Sequence, residues 1–290
     1  MRIGCIDIGS NTTRLLVADC DGRRLQVIRQ ERSFTRIGTE LLEHGALREA
    51  KIAEVVAVVA AQVASAHRDE VSEIRAVATE AIRRAANGAE LVRAITAATG
   101  LAIDVLSGEQ EARLAFLGAA ATLEQPVDGE LGVVDVGGGS SELVVGRPPS
   151  QISWWASVGL GSAALTHIHL HHDPPQPAEI AAARADIART LAPLIVPRPA
   201  VAVAVGGSAT CLALLDGAVL NPDALGDALG LLACDPSAEV ALRHSIDPHR
   251  ARLLPAGLLV LAGAAESFGT ALRVGRGGIR EGVLLEASGR

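Results

Sequence analysis

The stretch IGCIDIGSNTTRLLV, residues 3–17, decides the fold, because it recurs as LGVVDVGGGSSELVV at residues 131–145. The two copies align without a gap at a shift of 128 residues, which places Asp7 on Asp135. Each copy is an apolar run, an Asp-x-Gly turn with small polar residues, and a second apolar run. This is the pattern of a β-hairpin with a glycine-rich turn. Two copies of the hairpin predict two similar domains.

Strands alternate with helices along the rest of the chain. The spacing of apolar residues predicts helices at 46–67, 87–99 and 108–123, and short apolar runs predict strands at 74–79, 101–106 and 201–205. Ser107 and Gln110 form a capping-box pattern at the start of the third helix. The alternation predicts an α/β fold. We expect one domain at 1–124 and a second at 125–290, with the last helix able to pack back on the first domain.

The composition excludes several classes of partner. Of 290 residues only 2% are aromatic, none is Tyr, and the net charge is −7. Nucleic acid is therefore not an expected partner, since the chain has neither stacking residues nor a basic surface. A small anionic substrate stays compatible with this charge, because a few side chains and backbone N–H groups in a cleft can bind it. Lys51 is the only lysine, so arginines would supply the positive charge.

Cysteine usage and hydropathy indicate the cellular compartment in which we expect the protein. The cysteines are dispersed without a C-x-x-C spacing, and we expect small core residues in a reducing compartment; they are Cys5, Cys20, Cys211 and Cys234. No apolar run reaches about 18 uninterrupted residues, the length that a membrane helix needs. We therefore expect a soluble, cytoplasmic protein without a membrane partner.

The hairpin turns are candidate phosphate-binding loops. A turn without bulky side chains lets backbone N–H groups approach a phosphate closely. The candidates are Gly9, Ser10 and Asn11 in the first loop and Gly137, Gly138, Gly139 and Ser140 in the second. Asp7 and Asp135, beside the loops, are expected to hold Mg²⁺ against phosphate oxygens. Two tight hairpins with polar turns are the structural alternative.

A third glycine-rich loop follows the predicted strand at 201–205 and opens a helix. It contains Gly207 and Ser208, and helix N-termini bind anions. Close packing of a strand against a helix would also place glycines here, so both interpretations stay open.

Several motifs in order resemble one known family. They are DIGSNTTRLLV at 7–17, ATEAIRRAANG at 78–88, SGEQEARLAFLGA at 107–119, VVDVGGGSSELVVG at 133–146, SVGLGSAALT at 157–166, GGSAT at 206–210 and GGIREGVLLE at 277–286. The chain resembles the exopolyphosphatase and guanosine-pentaphosphate phosphohydrolase family from residue 1 to residue 286. The resemblance implies the actin/Hsp70/sugar-kinase type of fold, with two RNase H-like domains and an active site between them.

The same resemblance implies roles for individual residues. Glu111 would be the base that activates water, and Glu142 would help to order metal or water. Arg83 and Arg14 would meet phosphate oxygens, a role that suits the planar guanidinium. The implied substrate is inorganic polyphosphate or guanosine pentaphosphate, with Mg²⁺ as cofactor, and a homodimer is a family-level expectation. Arg252 stands where the family has an acidic residue, which leaves the role of that segment open.

Two other functions remain open from the sequence. A kinase or ATPase of the same superfamily would share both Asp-x-Gly loops, and a non-catalytic sensor of polyphosphate or a guanosine alarmone would share the binding residues. Two further patterns are discounted. The cluster of His167, His169, His171 and His172 has no suitably spaced cysteine and is expected on a surface helix, and the G-x-G-x-x-A match at 159–164 lacks a convincing βαβ context.

Overall fold

The computed structural model describes residues 1–21, 24–216 and 219–289, with the backbone alone at 213–216. The strands are β1 (Arg2–Ile8), β2 (Thr13–Cys20), β3 (Leu25–Ser33), β4 (Glu73–Ala78), β5 (Ile103–Val105), β6 (Leu131–Val136), β7 (Ser141–Arg147), β8 (Gln151–Val158), β9 (Val201–Val205), β10 (Val219–Leu220) and β11 (Leu272–Val274). The helices are α1 (Ile37–His44), α2 (Glu49–Arg68), α3 (Glu80–Arg84), α4 (Gly88–Thr99), α5 (Gly108–Ala121), α6 (Ser162–His169), α7 (Pro177–Leu191), α8 (Gly206–Asp216), α9 (Pro222–Cys234), α10 (Ser237–His244), α11 (Pro248–Phe268) and α12 (Ile279–Ser288).

The chain divides into two compact units. The first unit comprises Met1–Ala121 and Gly278–Arg290, and the second comprises Thr122–Gly277. The strand order is β3-β2-β1-β4-β5 in the first unit and β10-β11-β9-β6-β7-β8 in the second. In both units an antiparallel meander of three strands is followed by parallel strands on the other side of its first member. Each unit therefore has the RNase H-like topology.

The duplication is also visible in the register of the strands. Asp7 pairs with Arg14, and Asp135 pairs with Glu142, at the shift of 128 residues found in the sequence. Ile3 pairs with Glu73 in the parallel neighbour, and Leu131 pairs with Val201 at the same shift. The repeat therefore extends to the fourth strand of each unit, beyond the stretch in which the sequences are alike.

Both faces of the first sheet are covered, which explains why the middle residues of its central strands, at 3–6 and 15–18, are apolar. On one face Ile6 and Leu15 pack in a cluster with residues of α2 and α4. On the other face Cys5 and Leu16 pack with Leu114 of α5 and Leu284 of α12. The alternation of side chains along a strand divides the apolar residues between these two cores.

Helix α12 packs on α5 and completes the first unit. A Cβ atom added to Gly118 would lie 2.0 Å from Gly278 O, and one added to Gly282 would lie 2.1 Å from Leu114 O. Glycine at these positions therefore allows the two backbones to touch. The first unit ends at Ala121, near the boundary expected at residue 124, and it includes the chain again from Gly278, so the last helix belongs to the first unit.

Two helices are long and apolar enough to span a membrane by length and composition, α2 and α11. Within the described part of the second unit, α11 is a core helix, with two thirds of its apolar window buried. It contacts β6 and β9 as well as its neighbouring helices. Burial among these helices and strands accounts for the apolar character of α11.

Candidate active site

The two glycine-rich loops form the same backbone turn. Gly9 N donates to Thr12 O at 3.0 Å, and Gly137 N donates to Ser140 O at 3.0 Å. These bonds are again related by the shift of 128 residues. The two predicted loops therefore form the same hydrogen-bonded turn, one in each unit.

Backbone N–H groups at the start of α1 hold the first loop by hydrogen bonds. Gly38 N donates to Ser10 O at 2.7 Å, and Arg36 N donates to Asn11 O at 3.0 Å. Arg36 has a φ of 48°, a conformation that costs a residue with a side chain of the order of 1–3 kcal/mol. The side chain of Ser10 donates to Glu80 at 3.3 Å. Two backbone hydrogen bonds and the bond from Ser10 to the buried carboxylate of Glu80 together hold this loop.

Asp7 has the features of a cation ligand. Its Oδ1 atom is buried and has no hydrogen-bond partner among the described residues. Burial raises the pKa of Asp7, and the positive charges of Arg280 and Arg14 act in the opposite direction. A buried carboxylate oxygen without a donor is unfavourable unless a cation binds it. Arg280, in the GGIREG segment, was not assigned a role from the sequence.

Arg83 holds the carboxylate of Glu111. Its Nη1 atom donates to Glu111 Oε1 at 2.5 Å and also to the carbonyl oxygen of Leu106. The Glu111 side chain is only 3% exposed, whereas that of Arg83 is 32% exposed. The Nε and Nη2 atoms of Arg83 make no hydrogen bond within the residues that the structure describes. The arginine predicted to meet phosphate is therefore also the partner of the predicted base.

The capping box predicted for α5 is confirmed and places Glu111 in the first turn. Gln110 Oε1 accepts a hydrogen bond from Ser107 N at 2.8 Å, and Ser107 Oγ accepts one from Gln110 N at 3.2 Å. The backbone N–H of Glu111 donates to Ser107 O at 2.9 Å. The start of the helix, and with it Glu111, is therefore well defined.

In the second unit, Asp135 is the equivalent of Asp7, and it lies beside a second carboxylate. Asp135 and Glu142 are direct cross-strand partners, so their side chains lie on the same face of the sheet. Glu142 is buried and accepts a hydrogen bond from Ser157 Oγ at 2.8 Å. Two adjacent carboxylates repel one another, and a divalent cation relieves that repulsion.

The third loop predicted from the sequence is the first turn of α8, which starts at Gly206, and it lies against Asp135. Gly206 has a φ of 89°, and a Cβ atom there would be 2.6 Å from Asp135 Oδ1. Both the backbone conformation and the space require glycine at this position. Ser208, predicted to bind phosphate, has its Oγ atom beside α11, where a Cβ on Gly257 would come within 2.3 Å of it.

Arg250 is a further candidate site residue, which the sequence patterns did not indicate. Its Nη1 atom donates to Gly207 O at 2.8 Å, and its Nε atom is buried without a hydrogen-bond partner among the described residues. In the sequence, the segment 249–252 is notable only for Arg252. The side chain of Arg252 donates to Leu170 O at 2.5 Å, at the end of α6. The guanidinium of Arg250 lies so close to Gly207 that a Cβ atom added there would be 2.6 Å from it. This close approach distinguishes Arg250 from Arg252.

Two members of the histidine cluster contact carboxylates through their rings. His169 Nε2 lies 2.8 Å from Asp186 Oδ2, and His172 Nδ1 lies 2.9 Å from Glu179 Oε1. Among the described residues, no group of three or more His, Cys, Asp or Glu side chains is placed to hold a metal ion. A metal at the loops would therefore need water or substrate oxygens as additional ligands.

Two RNase H-like units, each with an Asp-x-Gly loop after its first strand, define the actin/Hsp70/sugar-kinase type of fold. A sequence profile of the Ppx/GppA phosphatase family matches residues 16–290. The chain belongs to the Ppx/GppA phosphatase family, and is a phosphoanhydride hydrolase.

Individual relatives agree with this assignment. The chain is similar to an uncharacterised Streptomyces coelicolor protein, with 33% identity over 98% of this chain and 90% of that one. It is similar to exopolyphosphatase 2 of Mycobacterium tuberculosis, with 32% identity over 67% of this chain and 63% of the other. The crystal structure of the Aquifex aeolicus Ppx/GppA family member superposes with a TM-score of 0.84 at 32% identity, covering 99% of this chain and 97% of that one.

Proposed function

We propose that this protein is an exopolyphosphatase, which releases terminal orthophosphate from inorganic polyphosphate by metal-assisted hydrolysis. The observation that carries the proposal is the pair of Glu111 and Arg83. The carboxylate is buried and fixed by a guanidinium that has further N–H groups to offer. The exopolyphosphatases among the relatives support polyphosphate as the substrate.

Glu111 is assigned the role of general base. A general base must lie within hydrogen-bond reach of the water from which it takes a proton, in a fixed orientation. Arg83 also fixes the direction of the carboxylate, so that a water hydrogen-bonded to Glu111 would have a defined orientation. Positioning and charge stabilisation are the main requirements of phosphoryl transfer.

The phosphate chain would be bound by loop N–H groups and arginines. Gly9–Asn11 and Gly137–Ser140 supply two turns of the same geometry. Arg14 lies across the strands from Asp7, and its Nε atom donates to Thr12 Oγ1 at 3.1 Å. Arg250 adds a guanidinium beside the third loop. The prediction that the loops of both units act on one substrate remains a prediction.

The residues fit the Mg²⁺ ion that the family implies. The buried, unpartnered oxygen of Asp7 and the adjacent carboxylates of Asp135 and Glu142 are the oxygen ligands that Mg²⁺ takes. Mg²⁺ also keeps several waters and binds phosphate oxygens, so a site with few protein ligands suits it. When bound, the ion would neutralise charge on the phosphate chain.

The experiment is phosphate release with Mg²⁺ from short polyphosphate, long polyphosphate, guanosine pentaphosphate and ATP, each offered separately. The Glu111→Gln variant is compared with Glu109→Gln, an exposed carboxylate in the same helical turn. We expect release from polyphosphate to fall by about 100-fold or more in the first variant and to be unchanged in the second.

The other outcomes assign other functions. Release from guanosine pentaphosphate alone would make that nucleotide the substrate. Turnover of ATP only with an added acceptor would indicate a kinase, and binding of polyphosphate without turnover under any metal would indicate a sensor. Equal activity of Glu111→Gln and Glu109→Gln would overturn the role of Glu111.

A further inference from the structure

The N-terminus of α6 is bonded to the second glycine-rich loop. Ser162 N and Ser162 Oγ both donate to Gly137 O, at 2.9 and 3.1 Å. Ala163 N and Ala164 N both donate to Gly138 O at 3.0 Å. The first N–H groups of a helix have no acceptor within the helix. Here two loop carbonyls accept from them, so this helix end acts on the loop and not on a ligand.

The anchored carbonyls determine where the loop N–H groups point. In a trans peptide the C=O and N–H bonds of one unit point in opposite directions. The carbonyls of Gly137 and Gly138 point at α6, so the N–H groups of Gly138 and Gly139 point away from it. Neither N–H group donates to any atom in the described part of the chain. Two successive N–H groups of this kind form a concavity that binds anions.

Gly161 makes the contact between helix and loop sterically feasible. A Cβ atom at this position would lie 2.2 Å from Gly138 O and 2.3 Å from Gly139 N. The first unit shows a related arrangement, in which Gly38 of α1 donates to Ser10 O and a Cβ would lie 3.2 Å from Ser10 Cβ. In each unit, therefore, a glycine within one residue of the start of the helix after the third strand lies against the loop.

We propose that Gly161 and Ser162 are positioning residues, which orient the N–H groups of Gly138 and Gly139 toward a phosphate oxygen. The inference rests on the proposed function, because it concerns how the second loop binds the phosphate chain. Neither residue touches the substrate. They act by holding the loop carbonyls on α6, so that the N–H groups need no reorganisation when charge develops on the phosphate.

The test compares Gly161→Ala with Gly159→Ala, two glycines of the same segment. A Cβ atom at Gly159 meets nothing within 4 Å, so this control should retain the activity of the original protein. Gly161→Ala displaces the loop, and we expect kcat on polyphosphate to fall by about 100-fold, the effect of losing an oxyanion donor. Thermal unfolding of both variants shows whether each is folded.

A second pair of variants keeps the backbone contact and changes only the hydroxyl group. Ser162→Ala removes the bond to Gly137 O, and Ser162→Thr keeps a hydroxyl at the same position. The control is Ser153→Ala, which removes the hydroxyl contacts with Glu130 Oε1 and Val145 O elsewhere in the second unit. We expect Ser162→Ala to lower kcat by several-fold, Ser162→Thr to restore it, and Ser153→Ala to leave it unchanged.

Calorimetric binding of tripolyphosphate gives a readout that does not depend on turnover. We expect affinity for this anion to be at least tenfold lower in Gly161→Ala than in Gly159→Ala. Equal affinity and equal kcat in these variants would overturn the positioning role. A protein that binds tripolyphosphate with the expected difference but releases no phosphate would instead contradict the proposed function and retain the positioning role.

Discussion

Arg14 and Glu142 occupy equivalent positions in the duplicated hairpins. Each is the cross-strand partner of the aspartate beside its loop, Asp7 in the first unit and Asp135 in the second. The same backbone position thus carries a guanidinium in one unit and a carboxylate in the other. The first unit balances its aspartate with positive charge, and the second concentrates negative charge. A divalent cation is therefore expected to interact more strongly with the second unit.

Because the two residues differ in charge, we expect their substitution to change different kinetic quantities. In Glu142→Gln we expect the Mg²⁺ concentration for half-maximal activity to rise by about tenfold or more, because one of two adjacent carboxylates is lost. In Arg14→Gln we expect a higher KM for polyphosphate and little change in the Mg²⁺ requirement. The measurement is phosphate release titrated with Mg²⁺ and with substrate. Equal shifts in the Mg²⁺ requirement of both variants would contradict the assignment.

Asp7→Asn is predicted to abolish activity while making the protein more stable. Burial raises the pKa of Asp7 above its ordinary value of 3.8, so the folded protein holds this proton more tightly than the unfolded chain. Stability is therefore lost as the pH rises from 3.8 through the folded pKa. The variant removes this loss. We expect the Tm to rise near neutral pH, and by less in acid.

The control for this change is Asp19→Asn. The hydrogen bond from Arg2 lowers the pKa of the exposed Asp19, so its ionised form adds stability above its ordinary pKa. We expect the Tm of Asp19→Asn to fall slightly near neutral pH, opposite in sign to the effect at Asp7. Added Mg²⁺ should raise the Tm of the original protein more than that of Asp7→Asn. A lower Tm in Asp7→Asn would show that the buried carboxylate is not a destabilising group.

Arg83 and Glu111 are predicted to act as a unit. We expect Arg83→Gln and Glu111→Gln each to reduce kcat by about 100-fold or more, and the double variant to be no worse than the poorer single variant. The reason is that the arginine acts largely through the carboxylate it holds. The control is the exposed pair of Arg113 and Glu286, 3.1 Å apart in the same unit. Multiplicative losses at Arg83 and Glu111 would show two independent roles.

The two arginines near the start of α11 are predicted to differ in function. Arg250 contacts the third loop, so Arg250→Met should raise KM for polyphosphate by about tenfold, the loss expected for one charged hydrogen bond. Arg252 bonds to the end of α6, so Arg252→Ala should lower Tm and leave kcat unchanged. Steady-state kinetics and thermal unfolding of both variants separate these effects. Loss of kcat in Arg252→Ala with an unchanged Tm would contradict this division.

Local sequence patterns predicted the parts of the fold that depend on neighbouring residues. The capping box at Ser107 and Gln110 is present, and Gly100 ends α4 in a left-handed conformation, with a φ of 73°. The strand predicted at 201–205 coincides with β9. Turns, caps and apolar runs have short-range causes, so the sequence alone expresses them.

Features with long-range causes could not be predicted in this way. The strands β10 and β11 have two and three residues, too few for a recognisable period, and they exist only because they pair with each other and with β9. Arg250 lies 43 residues from Gly207, and no local pattern connects them. The G-x-G-x-x-A match at 159–164 shows the same limit. Its second glycine, Gly161, is required by close contact with a loop more than twenty residues earlier in the chain and not by a dinucleotide.

The return of α12 to the first unit has a consequence for synthesis of the chain. The second unit is inserted between α5 and α12, so the ribosome completes it before residues 279–288 emerge. Until then, the face of the first sheet that carries Cys5 and Leu16 lacks Leu284. The nascent first unit thus carries exposed apolar surface while its neighbour folds, and such surface is prone to aggregation until α12 covers it.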